Sequence, residues 1–264
     1  MKISVLGCIM GLIFAIIPIV ILEVNGAKFL FKTLRAMVKM VAFLGIMGLC
    51  LYFVFKWNLA YVNVLCVLLM MVFGSLMIAL RSRMGLSRYL LPVFVGVFTA
   101  TILVGICLVF AIHGIANVLD VHILIPVFAI LVWAMVETNA AALRTYCMGL
   151  RHHGQLYEYL LGNGATHRQA VQYFMKRAFE RVSTPFIKRM AWVVTGFSPI
   201  LLWCVLLDGK DVWTAIWFQI LVLVATFCAS VLSLYITLMV ANKFSFDKYG
   251  VFIDEINKEK ETEE

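Results

Sequence analysis

The sequence predicts an all-α, polytopic helical membrane protein. It has about seven transmembrane helices and a polar helical elbow on the cytoplasmic side, between the fifth and the sixth. Three observations predict this. Apolar residues fill 64% of the 264 positions. They gather in runs close to the roughly 20 residues that a helix needs to cross a bilayer. Basic residues collect in alternate connections, the pattern that orients a membrane bundle.

In chain order the spans are Ile3–Val24, Met40–Phe55, Leu59–Leu80, Tyr89–Ile112, Ile123–Leu150, Arg189–Leu207 and Val212–Ala241. The first is too long for a signal-peptide core and lacks a small-residue cleavage site, so it reads as a span. Six spans preceded by an amphipathic segment is the alternative. The second is short and the last overlong, which suits a partly re-entrant segment and a tilted or broken helix. Residues 1–243 therefore form one transmembrane domain, with the elbow at about 151–185. Residues 244–264 form a cytoplasmic tail, charged and poor in apolar residues towards its end.

Of the 22 basic residues, all but Lys2, Lys56 and Lys210 fall on one side of this topology. The positive-inside rule puts that side, the elbow and the C-terminus in the cytoplasm of a cytoplasmic (inner) membrane. Trp57, Trp203, Trp213 and Trp217 cluster at the opposite ends, where interfacial anchors belong. The net charge of +8 follows from this bias, so membrane lipid is the expected surrounding partner and nucleic acid need not be invoked. Seven cysteines are scattered singly, with neither metal-ligand nor redox spacing, and read as small buried hydrophobes.

The elbow runs from Glu158 to Ala170. Leu156, Tyr159 and Leu160 form an apolar stripe at helical spacing, with Gln155 and Glu158 facing elsewhere. Gly162 and Gly164 supply conformations that end the first helix. Thr166 is placed as the N-cap of a second, with Gln169 completing a capping box. That helix continues through Ala170, Phe174 and Ala178, carries Arg168, Lys176, Arg177 and Arg181 on wetter faces, and stops at Pro185. On physical grounds alone a basic interfacial helix that merely joins two spans accounts for the segment equally well.

The pattern Glu158-x5-Gly164-Ala165-Thr166, with Ala170 and a later proline, resembles the "EAA" loop of ABC-transporter permeases. More closely, Glu158-x-Leu160-Leu161-x-x-Gly164-Ala165-Thr166-x-Arg168-Gln169-Ala170 is similar to the signature of an uncharacterised-permease family. That family includes the FetB-type iron exporters and plant aluminium-tolerance relatives. The likeness continues through Arg181, Pro185, Gly209-x-Asp211 and Ala215-x-x-Phe218-Gln219-Ile220. Upstream, Lys39 stands where the family has Gln.

The resemblance implies a permease subunit, paired with a second copy as a homodimer and driven by a separate ABC ATPase. Glu158, Leu161, Gly164, Ala165, Thr166 and Ala170 would then form the ATPase-coupling surface. It also implies export of a metal such as iron. The family's flexible Pro-Gly-Met-Met-Thr-Gly run survives only as Pro199, and its Gly-Asn pair falls near Glu137-Thr138-Asn139. The coupling end is preserved better than the transport path. A non-transporting membrane interaction or scaffold protein of the same fold, or a lipid-type ABC permease, are the alternatives.

Within the spans, Glu137, Asn139 and Pro199 are the candidate transport-path residues. A carboxylate about 22 Å along a membrane helix is costly unless paired or facing water, so Glu137 is a functional candidate. Its structural alternative is a pair with Arg144, two turns away on the same face. Pro199, with Gly196 and Ser198, suits a kink or gate. His113, Asp120 and His122 on an outer connection form a weak metal candidate, and no ligand set is identified. No phosphate loop and no catalytic constellation occurs in the sequence. The chain therefore reads as a non-enzyme without its own cofactor, with ATP and Mg²⁺ on the partner.

Overall fold

The computed structural model describes residues 30–57, 59–82, 86–113, 121–192 and 200–245. Among these the regular structure is entirely helical: α1 (Leu30–Trp57), α2 (Ala60–Ser82), α3 (Leu86–His113), α4 (Val121–His152), α5 (Gly154–Gly162), α6 (His167–Ala191), α7 (Ile200–Leu207) and α8 (Val212–Ser245). Five of these, α1 to α4 and α8, are long and apolar enough to cross a bilayer. The chain is a multi-pass helical membrane protein. The first predicted span, Ile3–Val24, lies outside the described residues, as do Pro199 and most of the tail.

The chain divides into residues 1–58 and 59–264. In the first unit, α1 starts ten residues before the predicted Met40, because no proline or glycine interrupts the basic stretch through Arg35 and Lys39. Phe43, Ile46, Leu49 and Tyr52 are all exposed. A helix apolar on every side suits contact with lipid tails rather than water.

In the second unit the most extensive packing joins α3 to α8. Ala225, Ala229, Ser233, Thr237 and Ala241 recur every fourth residue on α8, and all are buried. Such a stripe of small residues lets two helices close to van der Waals contact, the main attraction available where lipid offers no hydrophobic gain. On α3, Gly96 meets this stripe so closely that a Cβ there would lie 2.6 Å from the carbonyl oxygen of Ser233.

Helix α4 is the centre of the bundle and packs against α2, α3, α6 and α8. The Tyr146 hydroxyl donates to Asn242 Oδ1 on α8, and Asn242 Nδ2 reaches the Met175 sulfur on α6 at 3.9 Å. Helix α6 returns antiparallel along α4 and α8. Phe174 faces Gly149, Phe179 lies 6.4 Å from Tyr235, and Phe186 lies 5.6 Å from Phe227. The buried stripe Ala170, Phe174, Ala178, Val182 and Phe186 seats it there. It is thus part of the bundle along its length rather than a connector lying on the surface.

Two further predicted boundaries change. Pro185 does not stop α6, which continues to Ala191. Val182 and Phe186, buried on either side of the proline, hold the helix through the missing N–H bond. The predicted sixth span Arg189–Leu207 starts inside α6 and ends in α7, which has eight residues. Residues 193–199 of that span lie outside the described residues. Its described end, α7, forms a helical hairpin with α8. Gly209 adopts φ +85°, Gly209 N–H bonds Leu206 O, and Lys210 N–H bonds Val205 O, a Schellman turn. Asp211 Oδ2 accepts from Trp213 N–H, and Gln219 Oε1 accepts from Leu202 N–H near the start of α7. The Gly-x-Asp and Gln of the sequence pattern are therefore the parts that build this hairpin.

Candidate functional site

The elbow between α5 and α6 is built by local chemistry. Gly164 takes φ +84°, with its N–H on Leu161 O and the Ala165 N–H on Leu160 O, both at 3.0 Å. This is again the Schellman pattern, and glycine is needed at its left-handed position. Gly162, by contrast, is the last residue of α5 and lacks a positive φ. Thr166 caps α6: its Oγ1 accepts from Gln169 N–H at 3.4 Å, and Gln169 Oε1 accepts from Thr166 N–H at 2.8 Å. The predicted capping box is present.

The apolar stripe of α5 is shifted from the predicted one. Tyr157 is the buried residue and Leu156, Leu160 and Leu161 pack beside it, whereas Tyr159 is 67% exposed. The Tyr157 hydroxyl lies 2.8 Å from His167 Nδ1, with the rings edge-to-face at 5.9 Å. This contact ties the two arms of the elbow together, and burial pushes the Tyr157 phenol above its ordinary value. The six predicted coupling residues thus divide. Glu158 is exposed beside Tyr159 and forms the presented surface. Leu161, Gly164, Ala165, Thr166 and the fully buried Ala170 shape and anchor what presents it.

Further along α6, Arg189 Nη2 donates to both Oε1 and Oε2 of Glu137 at 2.8 Å. Its guanidinium lies 5.9 Å from the Trp133 ring and 5.6 Å from the Phe186 ring. Glu137 is thus paired, but with Arg189 and not with Arg144, the structural alternative that the sequence offers. Seven residues along α4 is a longer reach than the step across to the antiparallel neighbour, and Arg144 instead lines a groove further on. Asn139, two positions from Glu137, points into the bundle, and its Nδ2 has no hydrogen-bond partner among the described residues. Glu137 and Asn139 therefore do not share a surface. Pro199, Gly196 and Ser198 lie outside the described residues.

Nothing in local spacing revealed Arg189, 52 residues from Glu137. The usable signal is that Glu137 is the one acid in the interior of the predicted spans, Glu23 lying at the very end of the first, and such an acid asks for a basic partner at the edge of another span. Of the outer metal candidate, Asp120 and the His113 side chain lie outside the described residues, and His122 is exposed. No group of three His, Cys, Asp or Glu side chains arranged to hold a metal occurs among the described residues.

The sequence matches the Uncharacterised protein family (UPF0014) over residues 5–246. No curated protein and no solved structure gives a significant match.

Proposed function

The chain belongs to the UPF0014 family, a permease-like membrane family, and from that premise we propose that it is the transmembrane subunit of an ATP-driven ABC transporter. Two copies work with two separate ATPase subunits that carry ATP and Mg²⁺, at the cytoplasmic face of a cytoplasmic (inner) membrane. The observation that carries this reading is the elbow. It presents Glu158 and Tyr159 at the tip of a rigidly capped turn, joined directly to a long helix that packs inside the bundle.

From His167 to Arg189, α6 covers about 33 Å. A push on the elbow is therefore delivered to the Arg189–Glu137 pair at the middle of α4. The likeness to FetB-type exporters supports a metal ion such as iron as cargo. A cation reaching Glu137 competes with Arg189 for the same two oxygens, so cargo entry and release of the end of α6 become one event. A single carboxylate suits a transit point, where an ion must leave as readily as it arrives.

The test is purification of the tagged chain in mild detergent, identification of the ATPase that accompanies it, and ATP hydrolysis in nanodiscs with and without Fe²⁺. Glu158→Ala should cut ATPase association or coupling while the bundle stays folded. Glu137→Gln should change the metal response with the complex intact. Recovery of no ATPase, or a Glu158→Ala complex with unaltered assembly and activity, overturns the proposal.

A further inference from the structure

Arg81 at the end of α2, Arg144 on α4 and Arg181 on α6 line one cavity of about 490 Å³. None of the three has an ion-pair partner among the described residues. Helices α2 and α6 both pack on α4 but not on each other, so the cavity is a groove with α4 as its floor. The one carboxylate on it, Glu137, is held by Arg189. Towards the middle of the helices a second cavity of about 430 Å³ shares Arg81, Val136 and Glu137 with the first. There the walls turn apolar, with Met70, Phe73, Met77 and Trp133. An adjoining cleft of about 760 Å³ adds Arg177 and Lys188, tempered by Glu180.

The groove thus has a cationic end at the basic face of the bundle and an oily end along the membrane-crossing part of α2 and α4. We propose that it binds an anionic phospholipid, with the phosphate between Arg81, Arg144 and Arg181 and an acyl chain along Phe73, Met77 and Trp133. Guanidinium forks match phosphate oxygens in pairs. Basic side chains at the basic end of a membrane bundle attract anionic headgroups, and the phosphate supplies these three with a counter-charge. A free phosphate would leave the apolar half of the groove unused. A second copy of the same groove would set arginines against arginines. The bound lipid joins α2 to α6, which otherwise do not touch. The inference requires neither an ATPase nor a cargo, so it stands or falls apart from the transport reading.

The full chain in dodecylmaltoside is titrated with phosphatidylglycerol, and bound lipid is counted by native mass spectrometry. Phosphatidylcholine with the same tails, and inorganic phosphate, are the comparison arms. Phosphatidylglycerol should be retained, phosphatidylcholine should bind at least tenfold more weakly, and inorganic phosphate should compete only at high concentration. Each of Arg144→Gln and Arg181→Gln should weaken retention roughly fivefold, the double variant more, and Arg144→Lys much less. Lys176→Gln, exposed on α6 away from the groove, should bind as the parent does. A salt titration of the unaltered protein, which needs no variant to fold, should erase the preference for phosphatidylglycerol. Equal retention of the two lipids overturns the proposal, as does full competition by inorganic phosphate. Unchanged binding in the double variant, or a lipid-free dimer that buries the groove, does so equally.

Discussion

The Glu137–Arg189 pair allows a quantitative test of how α6 is held to α4. Charge centres about 4 Å apart attract by about 4 kcal/mol at an effective dielectric of about 20. Desolvation cancels part of that, so the net value falls between the ~0–1 kcal/mol of exposed pairs and the ~3–5 kcal/mol cost of truncating buried ones. The side chain of Arg189 is 14% exposed and that of Glu137 is 42% exposed. The two truncations are therefore unequal. Glu137→Gln takes the carboxylate from the more buried member of the pair, a guanidinium set against Trp133 and Phe186, and should cost about 3 kcal/mol. Arg189→Gln leaves a carboxylate that reaches the open groove and should cost about 2 kcal/mol. The double variant should cost about 3 kcal/mol, a coupling of about 2 kcal/mol. Reversible unfolding of the full chain in mixed phospholipid–SDS micelles gives all four corners of the cycle. Single costs that add to within ~0.5 kcal/mol refute the pair as a structural link. A greater cost for Arg189→Gln than for Glu137→Gln refutes the burial argument.

Three other outcomes follow from the packing. Gly96→Leu should destabilise the bundle by at least about 3 kcal/mol in the same unfolding assay, because beyond the Thr237 hydroxyl a Cβ there meets the Ser233 carbonyl oxygen, and backbone has no rotamer to change. Gly45→Leu, with nothing within 4 Å, should stay within ~0.5 kcal/mol. The raised Tyr157 pKa means that folding favours the protonated phenol, so its contribution is fully present below the ordinary value of 10.0 and is lost as pH rises through the folded value. Tyr157→Phe should remove that alkaline slope and cost about 1 kcal/mol through the lost His167 contact; an unchanged slope across about pH 9–11 assigns it elsewhere. For the ABC assembly proposed above, spin labels at Leu80 and Thr184 should change separation when the ATPase binds nucleotide, while labels at His152 and Gln172 hold theirs. The reverse pattern rules out movement across the α2–α6 groove.

What could be read from the sequence is what depends on neighbours three or four residues apart. Thr166 and Gln169 are both partners in a capping box that closes within one turn, so composition and spacing were enough. The long apolar runs likewise became α2, α3, α4 and α8 with boundaries shifted by only a few residues. The sequence places a helix end at Pro185 because proline's helix-breaking cost is local, whereas the buried Val182 and Phe186 that outweigh it depend on α4 and α8. Tyr157 and Tyr159 are both aromatic and two positions apart, and the choice between them rested on a helix phase that α6 sets through His167. The arginine groove was invisible for a similar reason: Arg81, Arg144 and Arg181 belong to three helices whose adjacency no periodicity encodes.

The path of the chain decides which parts of the bundle can yield. After α4 ends at His152, the elbow turns the chain back along the helix it has just left. Force on α5 is therefore not absorbed between α4 and α6. A Cβ on Gly149 would lie 3.1 Å from Phe174, Glu137 grips Arg189 at the far end, and α8 clamps both helices through Tyr146–Asn242 and Phe186–Phe227. Helix α3 is keyed to α8 through Gly96 and follows it. That leaves α2, which packs on α3 and α4 but has no packing with α6. Close-packed interfaces resist small displacements, whereas an open groove between two helices can change width without breaking one. Arg81, Arg144 and Arg181 bring like charges to that groove, so an anion bound among them should draw α2 and α6 together and its loss should let them part.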